Sequence, residues 1–457
     1  MLDTTIVNVS LPHIADSLDV ESGIEWVVST YLLGVVAAQP AAGFLADRFG
    51  RRTVYLGCLL LFTVASATAA LAPNFEVLLA ARALQGLGGG AMIPAGMAMI
   101  YELFPADQRG RALGVWGIAA MAAPALGPVL GGLLTSVDWH WLFLVNLPLG
   151  ALGLVAGHRL LRDTGHRERR RFDGIGWFLG AIGFSLFVLG VSESPRWGAT
   201  SVATLATVGV GLAALVTFVQ RQRRSSTPIL DIGIFSSGVF TRGLLVVCVV
   251  VVAQFARLVF LPLQLEELRG WSPLQVGFVL SPGAVAAAIA MPIGGRLVDR
   301  IGARVPVLIG LSLLIVGVFG LSTLGLDTHA AAIIGFLVLQ GFGVGLTMIP
   351  TTVAGLNSLP ARQVGDASAL RSLASQVAAA IGVASMAALF AALRPEGGSA
   401  ADIQHAYNSL FRVADVVAIA ALLFAVRLPS TPTLPPTEAA PAPAPSPRIG
   451  AASTKMS

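Results

Sequence analysis

The chain has 457 residues, 55% of them hydrophobic and only 12% charged, with a mean hydropathy of +0.80. Composition this apolar and charge-poor excludes a soluble globular protein of such length and assigns the chain to a lipid bilayer. The net charge of +5 and pI near 9.8 raise nucleic acid as a partner, but the distribution of charge argues against it. Arginines gather in alternate connections: Arg48, Arg51 and Arg52; Arg109 and Arg111; Arg162 with Arg167 to Arg171; Arg221, Arg223 and Arg224; Arg300 and Arg304. The intervening connections hold acids such as Asp16, Asp19, Glu193, Glu266 and Glu267. That alternation is the positive-inside pattern, so the arginine-rich connections and the C-terminus are expected in the cytoplasm.

A spanning helix needs about 20 mostly apolar residues, and by that measure about fourteen segments are expected. Residues 1–14 come first. At about 1.5 Å per residue they cover only about 20 Å of a roughly 30 Å hydrocarbon core, so a truncated first helix and a native start upstream of Met1 are expected. Further spans are predicted near 26–46, 54–72, 77–101, 112–135 and 141–161, completing an N-terminal six-helix half over residues 1–161. Residues 162–238 hold two inserted spans, near 174–192 and 199–219, with cytoplasmic linkers. A C-terminal six-helix half covers 239–427, and 428–457, rich in Pro, Ala, Ser and Thr, reads as a disordered cytoplasmic tail. The expected fold is therefore an all-α membrane protein of two six-helix halves plus two inserted helices.

The halves are marked by a repeat. Gly43-Phe44-Leu45-Ala46-Asp47-Arg48-Phe49-Gly50-Arg51-Arg52 returns as Gly295-Arg296-Leu297-Val298-Asp299-Arg300-Ile301-Gly302-Ala303-Arg304 between two other apolar runs. Leu84-Gln85-Gly86-Leu87-Gly88 is echoed by Leu339-Gln340-Gly341-Phe342-Gly343, with Pro94 or Pro350 following, and Pro105-Ala106-Asp107-Gln108 by Pro360-Ala361-Arg362-Gln363. Duplication with conserved spacing implies two halves enclosing a cavity. In the decapeptide the glycines permit close helix approach, the aspartate can cap or pair at a helix end, and the arginines offer it alternative partners. Such a cluster at a seam can act as a conformational latch, with plain charge anchoring at the membrane surface as the simpler alternative. The latch residues are Gly43, Asp47, Arg48, Gly50, Arg51 and Arg52, with Gly295, Asp299, Arg300 and Gly302.

Gly86-Leu87-Gly88-Gly89-Gly90-Ala91 satisfies a dinucleotide-binding pattern superficially, but no strand precedes it and it lies inside a span. Close helix contact explains these glycines better. Arg82, one turn earlier, is expensive in hydrocarbon and points to a cavity or ion path; its counterpart in the second half is Leu337. Arg257, inside the ninth span, either snorkels to the outer interface or faces the cavity, where it would favour substrates with a negative or zwitterionic group. Arg412 and Asp415 are spaced for a local pair. Cys58, Cys248 and the six histidines show no metal-ligand spacing, so no metal or organic cofactor is implied.

The decapeptide resembles the loop motif of the major facilitator superfamily, in which the aspartate and arginines stabilise the state open to the outside. Arg82-Ala83-Leu84-Gln85-Gly86 resembles the family signature whose arginine is tied to proton coupling. Pro124-Ala125-Leu126-Gly127-Pro128-Val129-Leu130-Gly131-Gly132 looks like the antiporter signature of its proton-driven exporters; prolines and glycines there make a bendable, closely packed helix. Leu2-Asp3-Thr4-Thr5-Ile6-Val7-Asn8-Val9-Ser10-Leu11-Pro12 resembles the first helix of the fourteen-helix drug:proton antiporters, as do the stretches from Trp26 to Leu33 and from Trp139 to Gly150. His140 stands where that subfamily usually has arginine.

This resemblance implies a multidrug-efflux transporter and not an enzyme: a proton-coupled antiporter exporting hydrophobic or amphipathic small molecules across the plasma membrane, the inner membrane of a bacterium, by alternating access. Asp3 would carry the proton and Arg82 would tune it; Pro124, Gly127, Pro128, Gly131 and Gly132 would limit leakage. Tyr31, Gln39, Gln85, Met92, Gln254 and Met348 would line the substrate cavity. The implied partners are the substrate, protons and the lipid bilayer, without nucleic acid, and the chain is expected to be monomeric. Two alternatives stay open: export of a cell-envelope lipid or self-made metabolite on the same fold, and a non-transporting sensor or truncated inactive relative.

Overall fold

The structure is a computed structural model that describes residues 2–135, 137–161, 171–394 and 397–434, with the backbone alone at 2, 4, 5, 8, 9, 121–126, 128, 129 and 132. Most of the arginine-rich linker, 162–170, and the tail from 435 onward lie outside the described residues, as do the side chains of Pro124 and Pro128 and the surroundings of Gly132.

The regular elements of the described chain are helices. They are α1 (Leu2–Ser17), α2 (Trp26–Phe49), α3 (Arg51–Ala70), α4 (Phe75–Leu103), α5 (Arg109–Thr135), α6 (Trp141–Leu144), α7 (Asn146–Leu160), α8 (Gly174–Ser192), α9 (Ser194–Trp197) and α10 (Val202–Arg224), followed by α11 (Gly238–Arg269), α12 (Pro273–Ile301), α13 (Arg304–Leu321), α14 (Ala330–Asn357), α15 (Val364–Leu393) and α16 (Ala400–Ala425). Among the described residues, 12 helices are long and apolar enough to cross a membrane, with α6 and α7 together forming one of them. α1, with 16 residues, and α5, with 27, occupy the other two places expected from the sequence.

Helix starts follow local chemistry. Asn74 accepts a hydrogen bond from the Val77 amide at the head of α4, and Ser237 and Ser201 do the same for α11 and α10. Ser272 with Gln275, and Ser399 with Asp402, form reciprocal capping boxes at α12 and α16. The stops are duplicated too. Gly50 (φ 91°) breaks α2 from α3 and Gly302 (φ 78°) breaks α12 from α13, both in the left-handed region where a side chain is disfavoured.

Glycines set the packing in both halves. A Cβ at Gly86 would collide with the Tyr31 carbonyl of α2, and one at Gly88 would lie 2.8 Å from the Cys58 carbonyl of α3. In the second half, Gly341 abuts the Gly283 carbonyl of α12 and Gly343 abuts the Gly310 carbonyl of α13. α4 and α14 are thus each held between two neighbours by backbone contact, in the same arrangement. The inserted pair α8 and α10 pack on each other, with Gly211 against the Phe187 backbone, and α8 docks on α2 through Trp177, whose indole N–H donates to the Ala37 carbonyl at 3.1 Å.

Two local expectations are corrected. Residues 428–434, assigned above to the disordered tail, fold back on the α12–α13 connection: Leu428 is buried, and the Pro429 carbonyl accepts from the Arg304 amide at 3.0 Å. An apolar side chain and a satisfied carbonyl at its start anchor this piece despite its composition. Arg412 and Asp415 form no ion pair among the described residues, because Arg412 is exposed and Asp415 is turned inward, with its Oδ1 unpartnered.

Candidate functional site

The most buried charge in the first half is Arg82, on α4, with no exposed surface. Its Nη1 donates to Asp3 Oδ2 of α1 at 2.5 Å and to Gln85 Oε1 at 2.6 Å, while its Nε donates to the Val27 carbonyl at 3.0 Å. The guanidinium carbon lies 4.4 Å from the centre of the Tyr31 ring and 5.7 Å from that of Phe143. Asp3 is itself buried, and its Oδ1 accepts from Gln85 Nε2 and from Asn146 Nδ2, each at 3.2 Å. Gln85 Nε2 also donates to Ser66 Oγ at 2.6 Å. Residues of six elements, α1, α2, α3, α4, α6 and α7, therefore converge on one network around the Asp3–Arg82 pair.

This arrangement has a defined chemical capacity. A charge buried away from water is tolerated when it is paired and hydrogen-bonded, and both conditions hold for Asp3 and Arg82. Protonating Asp3 would cancel the attraction and turn an acceptor into a donor, leaving Arg82 to Gln85, Val27 and the two rings. Beside this network, Ser10 and Thr135 bond to each other and tie α1 to α5, where Gly131 lets the Ile6 backbone approach. Gly127 is also buried in α5.

The second feature is the seam between the duplicated parts. Asp299, in the second decapeptide, accepts from the Gly110 amide at 2.9 Å and the Arg111 amide at 3.0 Å, so it caps α5 from across the seam. Gly295 and Gly110 meet backbone to backbone, with no room for a Cβ on either. On the opposite side of the bundle Gly43 of α2 packs against Gly365 and Asp366 at the start of α15. Between these points, Tyr101 donates to the Val353 carbonyl at 3.3 Å, Arg109 Nη1 to Asn357 Oδ1 at 2.9 Å, and Gln39 Nε2 to Ser372 Oγ at 2.9 Å. The bundle is closed at the end that carries the decapeptides.

Arg51 and Arg52 of the first decapeptide turn to their own half. Arg51 reaches the Ala98 carbonyl at 2.8 Å and Glu102, and Arg52 reaches the His158 carbonyl at 2.6 Å, so both brace the first half internally. Asp47 and Arg48 are engaged, and Arg300 is exposed. Of the cavity residues expected from sequence, Gln85 and Tyr31 belong to the Asp3–Arg82 network, Gln39 bridges the seam, and Met92, Gln254 and Met348 are half-buried.

Ser66, Asn146, Ser372, Asn357 and Asp366 join these contacts without being among the residues that sequence motifs assign to the site. Asn146 carried a usable signal, as a lone amide in an apolar span. Ser66 and Ser372 did not, since a serine in a membrane helix commonly satisfies itself on its own backbone, as Ser66 also does with the Phe62 carbonyl.

Comparisons with known proteins agree with this architecture. Residues 1–383 match the model described as Major Facilitator Superfamily. The multidrug resistance protein Stp of Mycobacterium tuberculosis is 37% identical over 395 residues, covering 86% of this chain and 73% of that protein. The tetracenomycin C resistance and export protein of Streptomyces glaucescens is 30% identical over 393 residues, covering 85% and 73%. Among solved structures, the human organic anion transporter MFSD10 (TETRAN) superposes with a TM-score of 0.64 at 17% identity, covering 93% of this chain and 96% of that one, which shows a shared fold. The chain belongs to the Major Facilitator Superfamily, with multidrug resistance proteins among its relatives, and is a multi-pass membrane transporter and not an enzyme.

Proposed function

We propose that this transporter is a proton-coupled antiporter that exports hydrophobic or amphipathic small molecules across the plasma membrane. The observation carrying this reading is the buried Asp3–Arg82 pair, one titratable carboxylate held by a permanent cation within a sealed, hydrogen-bonded first half. In the proposed cycle Asp3 takes up a proton from outside. The pair loosens, the halves rock about the seam, and the proton leaves towards the cytoplasm as substrate moves outward. The decapeptide end is assigned to the cytoplasm by its arginines, so the closed seam corresponds to the state open to the outside. Residues 1–161 and 239–427 act as the two moving halves, with α8 and α10 as a brace beside α2 and α15. Arg82 tunes the proton affinity of Asp3, and the tight α1–α5 contact at Gly131 limits leakage. Relatives named for multidrug resistance support a drug-like substrate; the tetracenomycin export relative favours, as a second reading, export of a self-made metabolite.

The deciding experiment is transport by purified protein in proteoliposomes under an imposed pH gradient, compared with Asp3→Asn. The wild type should drive a neutral lipophilic probe such as Nile red against its gradient, whereas the variant should lose driven transport and keep folded yield. Equal driven transport by Asp3→Asn would remove Asp3 from the coupling role, and no pH response in the wild type would overturn antiport.

A further inference from the structure

The second half lacks a counterpart of the Asp3–Arg82 pair, since Leu337 stands where Arg82 does, yet its interior carries two cations of its own. Arg257 lies on α11 within a buried stripe formed by Val246, Val250, Ala253, Leu261 and Gln264, whose exposures are 0, 0, 1, 0 and 2%. The outward positions of the same helix are Leu245, Leu258 and Leu263. Arg257 therefore points into the protein and does not snorkel along the lipid face, which decides between the two orientations left open by sequence. Its Nε is buried without a partner, and its side chain makes no hydrogen bond or ion pair among the described residues. Arg371 on α15 is in the same condition, at one wall of a narrow crevice closed by Thr351 and Thr352 of α14 and by Gly243 and Val247 of α11.

α11 and α15 pack directly together. From the helix starts at Gly238 and Val364, the rise per residue sets Arg257 and Arg371 roughly 18 Å apart in depth, so they occupy successive levels of one wall. A third unpartnered donor, Gln340 Nε2 on α14, is buried in the same half. The interior carboxylate Asp415 on α16 pairs with neither arginine, and the buried Asp366 at the start of α15 accepts from the Asp231 amide. A guanidinium cannot shed its proton, and each of these two is half-buried with its Nε covered and unpartnered. A fixed fork of donors that the fold leaves empty is suited to a planar anion.

We infer that the transported molecule carries an anionic group, carboxylate-like in chemistry, which Arg257 and Arg371 of the second half receive at successive depths. This rests on the exporter reading above and adds its substrate class: an amphipathic organic acid, with the apolar body held by the surrounding Val, Leu and Phe side chains.

The test uses full-length protein and three compounds sharing a naphthyl body: naphthylacetate, its neutral amide, and a naphthylmethyl trimethylammonium salt. Binding is measured by tryptophan fluorescence in detergent and in vesicles of phosphatidylcholine with or without phosphatidylglycerol. Naphthylacetate should bind at least tenfold more tightly than the amide. Arg257→Gln should erase that preference while changing amide binding less than twofold, and Arg257→Lys should retain part of it. Thermal stability and size-exclusion profiles verify folding, and Arg371→Gln gives an independent reading if Arg257→Gln fails to fold. Equal or tighter binding of the ammonium compound, an unchanged acid-to-amide ratio in Arg257→Gln, or no binding of naphthylacetate overturns the inference. So does loss of naphthylacetate binding once phosphatidylglycerol is present, which would make a lipid headgroup the occupant. Charge-selective binding without pH-driven transport would strike the exporter reading and leave the anion site standing; driven transport without charge selectivity would do the reverse.

Discussion

The carboxylate of Asp299 caps the first turn of α5 by accepting the Gly110 amide at 2.9 Å, although the two residues belong to opposite sides of the seam. The bond satisfies an otherwise unpaired donor at a helix N-terminus and sets a negative charge at its positive end. In the proposed cycle it would form only while the two parts are closed together, so its loss should selectively weaken that state.

Asp299→Ala is therefore expected to remove about 1 kcal/mol from the closed seam, shifting the closed-to-open ratio roughly fivefold. Spin labels on cysteines replacing the exposed Arg111 and Arg296 straddle the contact. Their distance distribution should gain a longer component in the variant, and an unchanged distribution would show that the cap does not hold the seam.

Gly295→Ala tests the same closure by sterics. Its Cβ would run into the Gly110 backbone, whereas a Cβ at Gly277 meets nothing within 4 Å. Overpacking a backbone contact costs about 1–3 kcal/mol, so Gly295→Ala should cut transport sharply while Gly277→Ala, in the same helix, leaves it intact. Similar activities for the two variants would count against a tight seam.

Gln39 and Ser372 join α2 to α15 through a single hydrogen bond of 2.9 Å. Each alanine variant should lower the melting temperature by an amount corresponding to about 0.5–1.5 kcal/mol, and the double variant should cost little more than one of them. Full additivity in that cycle would mean the two side chains do not interact in solution.

Asp173, at the head of α8, gives a pH-dependent prediction. Burial pushes its carboxyl up, but hydrogen bonds from Arg221 and the Gly176 amide, with the Arg221 charge, bring it below its ordinary value. A carboxyl depressed by folding adds stability above its unfolded pKa, about 3.9, and that contribution is lost as pH falls through the folded value. Asp173→Asn should therefore melt lower than wild type at pH 7, with the gap closing as pH is taken below about 4. A gap constant across that range would assign the effect to helix capping by neutral hydrogen bonds.

The sequence by itself determined the membrane class and the repeat, and it singled out Asp3, Arg82 and Asp299. These follow from local quantities: apolar run length, charge on alternate connections, and residue types that are costly in hydrocarbon. It also mistook where order ends, since the Pro-rich composition after Leu428 hides a docked segment.

Only the tertiary structure decided which partners these residues take. Asp3 and Arg82 are 79 residues apart in the chain and meet because α1 and α4 converge, with Asn146 arriving from a further helix. The latch aspartate Asp299 turns to the amides of α5 and not to an arginine of its own loop, and Arg257 turns inward because of the rotation at which α11 packs. Helix rotation and crossing are fixed by contacts among many side chains at once, with glycines such as Gly86 and Gly341 setting how closely backbones approach. Spacing along one helix records which residues share a face, but the neighbour that face meets is a property of the assembled bundle.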